Sequence, residues 1–367
     1  MLFVCLSVGL KTSAVFGAEN WLTAGAFLNE LEKPCVAIVK ERPLREVLRN
    51  LSTQLKLAIV LDRRVDPMGL VTISPAEGEV EAKTLRETLE SVAEQADLGL
   101  SMTGDTVYLG PPATARLLRT VAEIRRAELS ELPVKRRADL ARTRIVSWND
   151  LDAAGEVFAR LARGAGLKVL NPDAIPEDLL WGQAFGNASA AEALSVFLAQ
   201  FDRAFEWQQE GTAIRIIPFP EKAEFPKLHD VPREKRDEIL RRIQSTWPEV
   251  VVTEEARGLR FAGLAEQHQA VVEWIRPPAT GGPRIKPKGD LSRKRLTLRV
   301  VQTAARDVLK NLEVTGLSFK VGEGVDLETR LTFELKDAPI DRVVEEIARQ
   351  LMAEASMEGA VVRLRTK

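Results

Sequence analysis

The stretch EVLRNL at Glu46–Leu51 is repeated near the other end of the chain as DVLKNL at Asp307–Leu312, with the type of side chain retained at every position. Six residues can match by chance, so the repeat carries weight only if the elements on either side recur in the same order. They do recur. The repeat therefore predicts that the chain contains copies of one structural module.

The first copy lies in a run of alternating helix and strand signals. Apolar residues at helical spacing follow Pro43, and a second helix begins at Thr84, whose hydroxyl suits the capping position. Gly104 marks the turn of a closing hairpin. The predicted order is strand, helix, strand, strand, helix, strand, strand, with strands at 35–39, 57–61, 71–74, 98–102 and 106–110.

The same order fits two later stretches, and a shorter strand-helix-strand-strand-helix unit lies between them. The predicted fold class is α+β, built from tandem small modules that are near the size at which one core is marginal, so neighbouring modules should stabilise each other. The predicted divisions are a candidate signal peptide at 1–18, module 1 at 34–112, a helical connector at 113–140, module 2 at 141–220, module 3 at 225–276, a basic linker rich in Pro and Gly at 277–294, and module 4 at 295–367.

Equivalent positions follow from this division. We expect Leu48, Phe158 and Leu309 to be buried at the same place in the first helix of modules 1, 2 and 4. Gly166 follows the first helix of module 2, where a left-handed residue commonly ends a helix. Module 1 has Lys56 there, from which we expect a different helix end.

The run PLREVLRNLSTQLKLAIVLD at Pro43–Asp62, followed by VTI, an amphipathic helix and a hairpin with a Gly turn, resembles the short N-terminal domain shared by secretins and TonB-dependent receptors. Module 3, with VVVTEEARGLRFAG at 250–263, is similar to the ring-building repeats of the secretin periplasmic region. The resemblance implies periplasmic domains that bind other proteins through edge strands or pack into rings. The sequence ends at Lys367 before any pore domain, so the resemblance implies neither secretion nor metallophore uptake.

This reading predicts a non-enzymatic protein-interaction scaffold of the cell envelope, with other envelope proteins or further copies of the chain as partners. One alternative is a self-assembling ring component of a secretion or envelope complex. Another is an enzyme whose site is assembled between modules.

The sequence contains no pattern that points to catalysis, a cofactor or a metal. Of its two histidines, His229 ends a predicted strand and His268 lies on a polar helix face, so we expect both at the surface. Cys35 lies in a different module, which argues against a shared zinc site. Neither a Gly-rich phosphate loop nor a serine elbow is present. We predict no catalytic, cofactor-binding or metal-binding residues.

The charge balance names no partner, because 52 basic residues face 53 acidic ones. The linker between modules 3 and 4 is the exception and could contact a polyanion. It has no interleaved aromatic side chains for base stacking, so we expect no specific nucleic-acid binding. The candidate polyanion contacts are Arg284, Lys286, Lys288, Arg293, Lys294 and Arg295.

The N-terminal segment has the features of an export signal. An apolar run at Leu2–Leu10 precedes small residues at Gly17 and Ala18, where a signal peptidase could cut. No basic residue stands before the apolar run, and Lys11 follows it. The run is too short to cross a bilayer, and no other segment reaches that length. We therefore expect export to the periplasm without a transmembrane span.

The predicted partner sites are sheet edges, because small sheets leave backbone N–H and C=O groups that a partner strand can complete. We place these edges in the last strand of module 1, at Tyr108, and in the last strand of module 4, at Val361, Arg363 and Arg365. Within the latter strand, Val362 and Leu364 should face the core and the arginines should face outward.

Overall fold

The computed structural model describes residues 21–33, 35–73, 83–276, 295–313, 317–322, 324–358 and 361–366. Helices and small sheets alternate along these residues, and the α+β class is confirmed. The helices are α1 Ala24–Leu31, α2 Leu44–Leu55, α3 Leu85–Gln95, α4 Pro112–Ala127, α5 Val134–Ala141, α6 Ala154–Gly164, α7 Ala190–Ala199, α8 Arg236–Thr246, α9 Ala265–Ile275, α10 Ala305–Glu313 and α11 Ile340–Gln350.

The strands are short and belong to several separate sheets. They are β1 Val36–Pro43, β2 Ala58–Leu61, β3 Leu70–Ile73, β4 Gly99–Thr103, β5 Thr106–Gly110, β6 Arg144–Trp148, β7 Lys168–Val169, β8 Gln183–Ala188, β9 Arg203–Gln208, β10 Ala213–Pro218, β11 Phe225–Asp230, β12 Val252–Glu255, β13 Gly258–Gly263, β14 Arg295–Ala304, β15 Ser318–Val321, β16 Arg330–Pro339, β17 Ala353–Glu358 and β18 Val361–Thr366.

Modules 1, 2 and 4 have the same strand topology. Each has one antiparallel pair, namely β1 with β3, β6 with β8, and β14 with β16. Each also has a three-stranded sheet whose orders are β2-β5-β4, β7-β10-β9 and β15-β18-β17. In all three sheets the last strand lies in the middle, parallel to one neighbour and antiparallel to the other. The limits of the modules as domains stay a prediction.

The first helices bury the positions expected from the repeat. Leu48, Phe158 and Leu309 are 3%, 2% and 4% exposed. The expectation of a different helix end in module 1 is wrong, because Lys56 is left-handed with φ 55°, like Gly166 with φ 64°. A side chain in that conformation costs about 1 to 2 kcal/mol. Burial of Leu55 and Leu57 on either side of Lys56 offsets that cost.

Contacts across module boundaries join the units. Strand β1 of module 1 pairs in parallel with β14 of module 4, giving one four-stranded sheet in the order β16-β14-β1-β3. Helix α4 of the connector contacts β4 of module 1 and α7 of module 2. It also holds module 3, because the hydroxyl of Thr120 accepts a hydrogen bond from the N–H of Ala265 at 2.9 Å. Among the described residues, no helix has the length and apolar content needed to cross a membrane.

Candidate interaction surfaces

The four residues predicted at sheet edges lie in central strands, so that prediction is wrong. Tyr108 is in β5, which has β2 on one side and β4 on the other. Val361, Arg363 and Arg365 are in β18, which lies between β15 and β17. A hairpin signal predicts that two strands pair, but it does not say which of them a third strand joins. The predicted alternation along β18 holds for Val362 and Leu364, which are buried, and for Arg365, which is exposed, whereas Arg363 is half-buried.

The edge strands of the module 1 sheet are β2 and β4, and a side chain of module 2 binds the outer edge of β2. The N–H of Leu61 donates to Oε1 of Gln183 at 2.7 Å, and Nε2 of Gln183 donates to the carbonyl of Leu61 at 2.8 Å. The amide therefore makes the pair of bonds that a neighbouring strand would make. Module 2 completes the edge of module 1 with one glutamine.

Alternate residues of β2 and β5 enter two different cores. Leu61 and Leu109 point into the core of module 1. Val60 and Tyr108 point the other way and are fully buried in a cluster that includes Phe185 of module 2. The outer face of this sheet is therefore a dry contact with module 2.

Tyr108 also belongs to a buried network of polar side chains at this contact. Its hydroxyl donates to the carboxylate of Asp62, and Nη2 of Arg64 donates to the same carboxylate at 2.8 Å. Burial, followed by the negative charge of Asp62, raises the pKa of Tyr108 above its ordinary value. Gly110 leaves room for the tyrosine, because a Cβ there would lie 2.4 Å from its hydroxyl. The phenol is a structural donor.

Three ion pairs surround the dry contact. Module 1 supplies an arginine to each pair and module 2 supplies an aspartate. Close approach of the backbones adds to them, since a Cβ on Gly186 of β8 would lie 2.3 Å from the carbonyl oxygen of Asp105. Shape, backbone bonding and charge thus all match across this boundary. The ion pairs are Arg45 with Asp150, Arg63 with Asp178, and Arg64 with Asp202.

Module 4 leaves the equivalent edge uncovered. Its edge strand β15 pairs with β18, and no other strand of the described residues joins it. Val321, which stands where module 1 has Leu61, is 37% exposed, whereas Leu61 is 6% exposed. Lys320 and Arg363 replace the buried pair of Val60 and Tyr108. The module 4 face is basic where the module 1 face is apolar.

The outer edges of the four-stranded sheet are closed in part by equivalent glutamines. In module 1, Oε1 of Gln95 accepts from the N–H of Thr72 at 3.0 Å. In module 4, Gln350 bonds both the N–H and the carbonyl of Thr332, at 2.9 and 3.0 Å. Such caps reduce indiscriminate strand pairing. They make β3 and β16 weaker candidates for partner binding than β15.

The two histidines of module 3 are buried, so the prediction that they lie at the surface is wrong. His229 is 3% exposed and His268 is 1% exposed. Spacing contained a signal for one of them, because His268, Val271 and Ile275 lie on one helical face at intervals of three and four residues. The buried pair belongs to the core of module 3.

Hydrogen bonding fixes the protons of this pair. Nε2 of His268 lies 2.9 Å from the carbonyl of Phe225, which can only accept, so this nitrogen carries a proton. Nδ1 of the neutral ring then accepts from Nε2 of His229 at 2.9 Å. Burial, with contributions from the charges of His268 and Lys227, lowers the pKa of His229 to about 4. Burial also lowers the pKa of His268. Both rings are neutral in the folded module near pH 7.

Further charged features lie elsewhere among the described residues. In the part of the chain that the structure describes, no three His, Cys, Asp or Glu side chains are grouped to hold a metal ion. A cleft of about 400 Å³ in module 3 has four arginines in its wall. One of them, Arg236, is fixed by bonds to three backbone carbonyls. The candidate polyanion contacts at 284–294 lie outside the described residues, and Arg295 begins β14.

Comparisons with known proteins identify no family. No family model and no curated protein matches the chain. An atomic model of the Salmonella SPI-1 type III secretion injectisome basal body proteins InvG, PrgH and PrgK matches at 14% identity and a TM-score of 0.18, covering 65% of this chain and 44% of that one. A structure of XcpQN012 matches at 15% identity and a TM-score of 0.14, covering 56% of this chain and 99% of that one.

The chain thus spans less than half the length of the first of these structures. Similarity at these scores carries no argument about function. The family resemblance stays a prediction.

Proposed function

We propose that this chain is a non-enzymatic protein-interaction scaffold of the cell envelope. The observation that carries the proposal is the contact between modules 1 and 2. There, a module of this type binds another folded unit through the edge of β2, through the outer face of its sheet and through ion pairs. Module 4 has the same topology and leaves the corresponding edge and face open among the described residues. A scaffold needs such a surface.

The buried polar groups support binding rather than catalysis. Asp62, Arg64 and Tyr108 bond one another beneath module 2, so their side chains are occupied by the module contact. Export is supported by the apolar run at Leu2–Leu10 and by the small residues Gly17 and Ala18. We propose the periplasm as the compartment and other envelope proteins as the partners.

A site-specific photo-crosslinker tests the scaffold. We would place it at Val321, on the open edge, and as a matched control at Arg342, an exposed residue of α11. Crosslinked protein from the native host should be found with the first and not with the second. Intact-mass analysis of the same material should find the first 17 or 18 residues absent if export occurs.

A specific partner differs from a protein captured by chance in that its capture depends on the backbone of the β15 edge. Val321→Pro removes one outward backbone donor, which an edge strand tolerates, while Val321→Ala keeps that donor. A partner captured by the Ala variant and lost by a folded Pro variant supports the proposal. Equal capture by both variants contradicts binding at this edge.

Self-assembly is a second candidate function, and the pairing of β1 with β14 favours it. Val36, Ala37 and Ile38 are in register with Leu298, Arg299 and Val300. The same pairing between copies would join module 4 of one chain to module 1 of the next, a contact that generates rings or filaments. Light scattering at micromolar concentration separates the candidates, because the scaffold should remain small and the assembly should be large.

A further inference from the structure

We infer that module 4 binds an extended segment of a partner protein in which acidic and apolar residues alternate, and that this segment lies along the outer edge of β15. The inference rests on the proposed function and adds the chemistry of the partner. It is carried by the register of β15, by the charges beside it and by the differences from module 1.

The register of β15 directs one backbone pair outward. The N–H of Gly322 donates to the carbonyl of Leu364 at 2.8 Å, just as the N–H of Asp62 donates to the carbonyl of Leu109 at 2.8 Å. In a parallel pair, alternate residues bond the neighbouring strand. The preceding residue therefore turns its N–H and C=O to the other side, where module 1 receives Gln183. In module 4 this residue is Val321, and an extended segment can make both bonds to it.

One face of the sheet beside this edge is basic. Lys320 and Arg363 are paired in register, and Arg365 follows two residues later on the same face of β18. On the same face, Glu354 and Glu358 belong to β17, the strand farthest from this edge, where they are paired with Arg365 and Val361. The two strands nearest the edge thus carry three cations, and both carboxylates belong to the far strand. A partner that covered the cations with apolar groups would have to desolvate the charges, so acidic side chains fit this face.

The other face of the edge is apolar. Phe319 packs against the core of module 4, and Val321 is its exposed neighbour on the same face. Successive side chains of a strand point to opposite faces. A partner strand beside β15 therefore places every second residue over the cations and the others beside Phe319 and Val321. This geometry selects the alternating acidic and apolar pattern.

A folded unit like module 2 does not fit the same place. It is held on module 1 by Arg63 and Arg64, and the equivalent positions of module 4 have Glu323 and Gly324 in the sequence. The ion pairs that orient module 2 would therefore be absent. An extended segment needs only the edge and the two faces.

Titration of the full chain with three octapeptides tests the inference. The probes alternate Glu with Val, alternate Gln with Val, or contain Glu alone. We expect the Glu/Val peptide to bind at least tenfold more tightly than either of the others, to weaken as salt rises and to slow hydrogen exchange at the Val321 amide. The double variant Lys320→Glu and Arg365→Glu should lose at least tenfold in affinity. A control with the same change in charge, Arg241→Glu and Arg342→Glu on exposed positions of α8 and α11, should retain it.

Each other outcome has one meaning. If Gln/Val binds as tightly as Glu/Val and protects Val321, the edge is used and the proposed function stands, but the acidic preference is wrong. If Glu alone binds as tightly as Glu/Val, the surface is a general polyanion patch and the inference is overturned. If no peptide slows exchange at Val321, edge binding itself fails, and the proposed function loses its open surface.

Discussion

Module 1 and module 4 have the same strand topology but opposite surroundings. In module 1, Val60 and Tyr108 on the outer sheet face are buried against module 2, and Gln183 completes the strand edge. In module 4, Lys320 and Arg363 stand at those places, and the edge has no partner strand in the described chain. The comparison teaches that one backbone serves as an internal joint or as an open surface, according to a few side chains.

The polar cluster of module 1 shows why these side chains cannot be exchanged freely. Asp62 and Arg64 bond under the cover of module 2, where Arg64 also donates to the carbonyl of Ala199 at 2.9 Å. Module 4 has Gly322 and Gly324 at the equivalent positions. A carboxylate at Gly322 would lack both donors that Asp62 has, because Arg363 stands at the place of Tyr108 and Gly324 at the place of Arg64. Each module thus has side chains suited to its own surroundings.

The first prediction concerns what the two modules share. Leu48→Ala in module 1 and Leu309→Ala in module 4 should each reduce the free energy of unfolding by about 2 to 5 kcal/mol, because each leaves a cavity in a packed core. Phe158→Ala in module 2 should have an effect of similar size. Urea denaturation measures the losses. A loss below about 1 kcal/mol at one position would mean that its core is not equivalent to the others.

The second prediction concerns the pH dependence of stability, which we expect to come from the histidine pair of module 3 and not from the two modules compared above. The pKa of His229 is about 6.5 in the unfolded chain and about 4 in the folded module. Between pH 4 and pH 6.5 the unfolded chain therefore binds more protons than the folded one. The stabilising contribution is complete above about pH 6.5 and is lost as pH falls toward 4, at about 1.4 kcal/mol per pH unit.

Urea denaturation at pH 7 and pH 5 checks this effect. The transition assigned to module 3 should move to lower urea at pH 5, and a folded His229→Leu variant should show a smaller shift. Leu309→Ala, in module 4, serves as a control whose pH dependence should match the parent. An equal shift in the His229 variant and the parent would mean that the buried pair does not cause the acid sensitivity.

The third prediction tests the covered face directly. Tyr108→Phe removes the donor to buried Asp62 and should destabilise the chain by about 1 to 3 kcal/mol. Lys320→Ala, at the exposed face of module 4, should change stability by no more than about 0.5 kcal/mol. Thermal unfolding of the two variants beside the parent gives the comparison. Equal effects would show that the two faces are not differently covered.

The fourth prediction concerns Gln183, whose side-chain amide bonds the backbone of β2 at Leu61. Gln183→Ala removes two bonds to the backbone of Leu61 and should cost about 1 to 2 kcal/mol, since each such bond contributes about 1 kcal/mol. Gln183→Glu keeps an acceptor for the N–H but loses the donor to the carbonyl, so its loss should be comparable or larger. Denaturation midpoints measure both. An unchanged midpoint in the Ala variant would mean that the two hydrogen bonds of Gln183 contribute nothing to stability.

Local chemistry allowed much of the fold to be predicted. Apolar spacing identified the helix faces that contain Leu48, Phe158 and Leu309, and Thr84 caps α3 as predicted. The left-handed Lys56 was missed because its conformation is imposed by packing. Helix α1, with Phe27 and Leu31 buried, was not predicted either.

The interaction surfaces could not be predicted, because they depend on pairing between residues far apart in the chain. Apolar spacing in the sequence does not encode such pairing. Whether β5 is central or at an edge is decided by its parallel pairing with β2, nearly 50 residues earlier in the chain. The pair of His229 and His268 forms only when β11 and α9 meet. Nothing in the sequence around Gln183 indicates that its side chain bonds the backbone of a strand far away in the chain. These features needed the folded arrangement.

Hydrogen exchange of individual amides in the intact chain tests the central claim most directly. The N–H of Leu61 is bonded to Gln183, and the N–H of Val321 faces the open edge of β15. At pH 7 without a partner, the Leu61 amide should exchange at least a hundredfold more slowly than the Val321 amide, and Gln183→Ala should reduce that ratio. Equal protection of the two amides in the parent would contradict the account, because the edge of module 4 would then be covered as the edge of module 1 is.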